Sequence, residues 1–172
     1  MLTSCYAVWS KNFIPGGVSI SRSQGSYSYP VYTPLAPGSW CFKTGVVDYL
    51  SRYQAQLDKL NAKAVWAELQ AVATDDAIRR FGLDPAKASM VEPVIMCWEK
   101  PGGTSAAFCH RRLAAQWLQT ELGMTVPEGY VDRKGERRLT ANFDTLCRIE
   151  EDGSFVRLGK ETNPGQGALK LF

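Results

Sequence analysis

Apolar and polar positions change their period along the chain, and the changes mark its elements. Cys5 to Ser10, rich in aromatic and small apolar residues, predicts a strand. Ile14-Pro15-Gly16-Gly17 is a turn signal, and Val18-Ser19-Ile20-Ser21 alternates apolar and polar as a second strand does. From Val46 the period becomes helical: Val46, Val47, Leu50, Tyr53, Leu57 and Leu60 follow three-and-four spacing, with Thr44 as N-cap and Asp48 in the first turn. Asn61 breaks or caps. Val65, Trp66, Leu69 and Val72 carry helical spacing to about Ala73, and Asp75 to Phe81 predicts one more short helix stopped by Gly82. Met90 to Trp98 predicts a strand whose pairing Pro93 limits to the later part. Val94 to Cys97 is apolar on both faces, as a central strand is. Cys109 to Leu122 predicts a helix with a stripe of Leu113, Ala114, Trp117, Leu118 and Leu122, closed by Gly123; Met124 to Val126 predicts the last strand of the core.

Helices between strands imply an α/β fold: a mostly parallel central sheet of about four strands flanked by helices. Residues 1–131 form the expected α/β domain. Residues 132–172 form a C-terminal extension, in which Thr145–Ile149 and Ser154–Leu158 flank Glu150-Glu151-Asp152-Gly153 as a hairpin, ahead of a Gly-rich loose tail. Arg22 to Phe42 holds three prolines but also Tyr27, Tyr29, Tyr32 and Trp40. So many rings predict an ordered loop, pinned to the body by them or offering them to a base.

Composition narrows the function classes. At 172 residues and 45% hydrophobic content the chain buries a core without staples. No run approaches the ~20 apolar residues of a membrane span, so no membrane partner is expected. The net charge of +3 permits an anionic small molecule or nucleic acid as partner without demanding one. Five cysteines (Cys5, Cys41, Cys97, Cys109, Cys147) at irregular spacing argue for thiols in a reducing compartment. Met1 to Ser10 has neither the charged start nor the long apolar stretch of a secretory signal. A cytoplasmic protein without a resident cofactor is expected.

The chemistry concentrates between residues 94 and 118. An apolar run ends in Cys97 and Glu99, a Pro/Gly loop follows, and a helix opens on Cys109-His110-Arg111, with the one histidine of the chain. Helix starts attract anions, and Arg111 adds a guanidinium fork suited to phosphate or carboxylate. Cys109 has three readings: a nucleophile of lowered pKa, a metal ligand beside Cys97 and His110, or a small residue packing the strand–helix corner. The metal reading is short of donors, and helical neighbours 109 and 110 point in different directions, so no metal is expected. His110 is a candidate base or proton donor, or a structural hydrogen-bonding group. Glu99 is placed to orient it, take a proton or bind a sugar hydroxyl. Cys97 is read as packing first and as a ligand contact second. Ser19, Ser21 and Arg22, at the end of another strand, are candidate phosphate or ribose contacts, with turn or capping roles as the alternative. Arg133, Lys134, Arg137 and Arg138 make a small basic patch.

Cys97-Trp98-Glu99-Lys100-Pro101-Gly102 followed by Phe108-Cys109-His110-Arg111 resembles the family called domain of unknown function 488. Ala114-Ala115-Gln116-Trp117-Leu118 continues the likeness, and Val18-Ser19-Ile20-Ser21 and Leu35-Ala36-Pro37 echo its earlier strand and turn. The likeness covers about residues 5 to 131. The loop from Gly103 to Ala107 is longer than the usual form, and the stretch beyond Asp132 has no counterpart. The resemblance implies a fold and a site, and no activity.

Three functions fit these residues. In the first, a small enzyme binds an anionic, nucleotide-like or nucleic-acid ligand at the strand–helix junction, with Cys109, His110 and Glu99 as catalytic groups and Arg111, Arg22, Ser21, Ser19 and Cys97 around the ligand. In the second, the same junction is a non-catalytic anion- or partner-binding regulatory module. In the third, Cys97 and Cys109 form a redox couple.

Overall fold

A computed structural model describes residues 1–9, 15–99, 109–131, 136–141, 146–149 and 155–158. The tail from 159 onward, the centre of the hairpin, Arg133 and Lys134 lie outside the described residues. The first strand, β1, is Leu2–Cys5, and the chain turns at once into a short helix, α1, Tyr6–Trp9. The strand expected from Cys5 thus ends where it was to begin: Leu2 to Cys5 is buried at every position, and the large rings of Tyr6 and Trp9 turn onto a sheet face.

Gly17–Ser19 forms β2. Gly16, at φ 96°, makes the turn before it in a conformation that favours glycine. Residues 22–42 are ordered, as their rings imply. Ser19 N donates to Pro30 O at 2.8 Å, and Tyr32 N donates back to Ser19 O at 2.8 Å, so the loop lies along β2. Tyr29 and Tyr32 are buried, Tyr27 stacks on Tyr6 and Trp40 meets Tyr49 edge-on, so the rings pin the loop to the body.

Helix α2, Val46–Leu57, starts after Gly45, one residue beyond the expected Thr44 cap; Asp48 sits in its first turn. Helix α3 runs unbroken from Ala62 to Phe81. The two helices expected there are one, because Val65, Leu69, Ala73, Asp76 and Ala77 keep a single buried stripe through the polar stretch at Thr74 and Asp75. Asn61 caps α3 by accepting from Ala64 N at 3.0 Å, and Gly82, at φ 65°, closes it. A short helix, α4, Pro85–Ala88, precedes β3, Val94–Cys97, which is buried throughout.

Helix α5, His110–Leu122, has Cys109 as its N-cap and Gly123 as its left-handed stop. The following strand, β4, is Glu128–Val131 rather than Met124–Val126. Val126 is buried with the helices, and pairing begins only past Pro127, whose carbonyl accepts from Thr3 N at 2.9 Å. Arg137–Ala141, expected in part as a charged turn, is strand β5 and pairs antiparallel with β4. Leu146–Ile149 and Phe155–Leu158, β6 and β7, pair antiparallel as the hairpin pattern predicts.

The main sheet has the order β2-β3-β1-β4-β5, with β2, β3, β1 and β4 mutually parallel. It is the mostly parallel α/β architecture that the sequence implies. Alternation splits its faces. Val18 and Ile95 point to α2, α3 and α5, while Leu2, Val94 and Met96 point to Tyr6, Trp9 and Tyr29. The chain therefore leaves β1 over one face, through α1, and leaves neighbouring β3 over the other, through α5. Two adjacent parallel strands whose exits diverge open a crevice at their carboxyl ends, where open α/β sheets hold ligands. Cys5 and Cys97, partners in register, stand at that edge.

Candidate functional site

Cys97 shares its face with Ile95, so its sulfur points to the start of α5. Cys109 arrives there in extended conformation (φ −117°, ψ 127°) as the N-cap, not as a helical residue. The divergence expected of helical neighbours 109 and 110 therefore does not arise, and both side chains turn to Cys97. The sulfurs of Cys97 and Cys109 and a ring nitrogen of His110 lie within 4.8 Å of one another. Glu99 curls back from the strand end, and its Oε2 accepts from Cys97 Sγ at 2.9 Å and from Cys109 Sγ at 2.9 Å.

His110 is fixed from behind. Its Nε2 stands 2.9 Å from the Ile20 carbonyl, past the end of β2. A carbonyl only accepts, so Nε2 carries the proton and Nδ1 turns its lone pair to Cys97 Sγ, 3.6 Å away. Tyr53 packs edge-on against the ring. Burial lowers the imidazole to about 4, against the Ile20 carbonyl and Glu99, which favour its charge, so the ring is neutral at physiological pH.

The Cys97 thiol is pushed well up by its hydrogen bond with the Cys109 thiol, by burial and by Glu99. Burial raises Glu99 too, but the thiols of Cys109 and Cys97, the backbone and His110 outweigh it and hold the carboxyl below its ordinary range. The thiols and the ring are sealed, His110 at 8% exposure, whereas Glu99 is half-buried. Glu99 is the least buried member of the cluster.

Arg111 points elsewhere. Its guanidinium is fully buried, where it donates to Thr3 Oγ1 and Glu128 Oε1 and, at 3.3 Å, to the Glu99 carbonyl. Arg112 donates to both oxygens of the same Glu128. Arg111 Nε lacks a partner among the described residues. The anion that Arg111 holds is the protein's own.

Ser19 and Ser21 are buried, and each hydroxyl meets Tyr6 Oη, at 2.6 and 2.7 Å. They secure α1 to the end of β2. Arg22, next to them, is exposed and lies over the Phe42 ring at 5.7 Å. Of the basic patch, Arg138 pairs with Glu136 at 2.6 Å.

The structure thus gathers Cys97, Glu99, Cys109 and His110 in one place, sets Ser19 and Ser21 on the opposite face, and commits Arg111 to the interior. Glu128, Thr3 and Tyr6 belong to these networks and were not singled out from sequence. Only Glu128 carried a signal: a carboxylate at the head of a core strand, between Pro127 and Gly129, must find a cation. No family model matches the chain, and comparison with curated proteins and with solved structures finds no match.

Proposed function

We propose that this protein is an enzyme that binds a small, anion-bearing, nucleotide-like molecule at the crest between β1 and β3, with Glu99 as the group that exchanges protons with it. The observation that supports this is the meeting of one half-buried carboxylate with two thiols and a neutral imidazole where adjacent parallel strands part. Trp98, beside Glu99, is 48% exposed, and its indole is held by a 2.7 Å bond to the Ser23 carbonyl. It offers ring surface to a base. Arg22, exposed at the end of the neighbouring strand, supplies a guanidinium for phosphate. The buried thiols act through Glu99 and do not attack the ligand. Their reduced state fits a cytoplasmic setting, and the same residues carry the resemblance to domain of unknown function 488.

Adenosine and guanosine monophosphates are the probes, titrated by calorimetry and then followed chromatographically for product. Binding is expected to weaken at least about tenfold in Arg22→Ala and in Trp98→Ala. Glu99→Gln is expected to retain binding and to slow product formation about 100-fold or more. A wild-type protein that binds neither nucleotide, or a Glu99→Gln variant as active as wild type, contradicts the reading.

A further inference from the structure

We propose that Cys97, Cys109 and His110 are the protein ligands of a zinc-class divalent cation, with Glu99 in the fourth position. The inference rests on the reading above for the identity of the site alone, and not on which molecule binds there.

Geometry comes first. Tetrahedral zinc bonds sulfur at about 2.3 Å and nitrogen at about 2.0–2.1 Å, which sets the two donors about 3.6 Å apart. Cys97 Sγ and His110 Nδ1 stand 3.6 Å apart. Cys109 Sγ lies with them inside a 4.8 Å envelope, and Glu99 Oε2 touches both sulfurs. The carboxylate sits closer to the sulfurs than the roughly 3.5 Å edge of such a centre. Being half-buried, it is the one donor with room to withdraw.

Hydrogen bonding makes the second argument. Nδ1 is the bare nitrogen, because Nε2 gives its proton to Ile20 O, and a backbone carbonyl behind the distal nitrogen is the usual support of a metal-bound imidazole. The single proton of Cys97 Sγ cannot serve both Glu99 and Nδ1. Two sulfurs share one carboxylate oxygen, and the bare ring nitrogen gains a proton only if Cys97 turns from Glu99 to Nδ1. A cation there satisfies all four atoms.

Charge and softness select the ion. Two thiolates and an imidazole favour a borderline-soft metal over magnesium or calcium. On binding, two metal–sulfur bonds form and two thiol protons pass to solvent. Two thiolates and one carboxylate then exceed the divalent charge by one, and Arg111, bonded to the Glu99 carbonyl, stands beside them as a counter-charge. Glu99 is the replaceable ligand, since it is the least buried of the four, and a substrate oxygen takes its place.

The test is cobalt(II) titration of the reduced, chelator-treated full chain, read by absorption. The expected result is one equivalent bound, with the intense visible bands of a tetrahedral centre, a near-ultraviolet thiolate-to-cobalt band, and displacement of both by zinc. Cys109→Ser and Cys97→Ser are each expected to weaken binding by about 100-fold or more, while Cys41→Ser leaves it unchanged. Wild-type spectra without a thiolate band, or bands that survive both cluster substitutions, overturn the proposal. Wild-type titration decides the matter even where a variant does not fold. Cobalt binding that persists without mononucleotide binding removes only the enzyme reading; the reverse removes only the metal.

Discussion

His110 and Arg111 are consecutive residues on the first turn of α5, yet they enter opposite kinds of environment. Arg111, with Arg112, reaches inward to Glu128 and Thr3, where guanidinium and carboxylate are buried against each other. His110, with Cys109, turns to Cys97 and Glu99, where two thiols, a carboxylate oxygen and a bare ring nitrogen face one another. The first cluster binds α5 to β1 and β4 and has its ion already. The second has a lone pair, two sulfurs and a half-buried carboxylate converging on one point. A helix turns by about 100° per residue, so neighbours on one turn can be given to stability and to chemistry separately.

That division predicts unequal costs. Arg111→Met removes one of the two guanidinium partners of the buried Glu128 carboxylate, together with the bond to Thr3, and with Arg112 still in place should cost about 2–3 kcal/mol in urea denaturation. In the metal-free protein Cys109→Ser should cost only about 1 kcal/mol while weakening metal binding about 100-fold or more. Equal costs would erase the distinction between the clusters.

The metal-free cluster should also announce itself through pH. Burial holds folded His110 at about 4, against an unfolded value near 6.5. A base lowered on folding contributes stability in full above the unfolded value and loses it as pH falls toward the folded one. The loss between about pH 6.5 and 4 should reach about 3 kcal/mol. Glu99, held below its ordinary range, adds a loss only at more acid pH. Denaturation at the two ends of that window, in wild type and in His110→Gln, isolates the histidine. The variant should lose less, and equal losses would show that the ring is not desolvated as described.

The smallest effect belongs to the opposite face. Tyr6→Phe removes the hydroxyl that ties Ser19 and Ser21 together and should cost about 1 kcal/mol, with cobalt binding intact. A loss of metal affinity there would show that the Tyr6 hydroxyl supports the cluster as well as α1.

Sequence patterns anticipated the sheet class, α2, α5 and the hairpin, because those elements carry clean periods and Gly stops. They misplaced β1 and β4 by a few residues, since short strands are bounded by pairing partners far along the chain, as Thr3 with Pro127 and Glu128 shows. They split α3, because the polar stretch at Thr74 and Asp75 hid a continuous buried stripe. The cluster itself was legible as residue types, but not its convergence. That depends on Cys109 being an extended cap rather than the first helical residue, a difference of one backbone conformation. The partner of Arg111 was not legible, because it comes from β4, brought beside β1 by the fold.

Because the chain has one histidine, nitrogen NMR of the imidazole in the metal-free protein reports on this site alone. The account predicts a neutral ring at physiological pH, protonated on Nε2 and bare on Nδ1, that stays neutral down to about pH 5. A proton on Nδ1, or a ring that titrates near its ordinary 6.5, would contradict it.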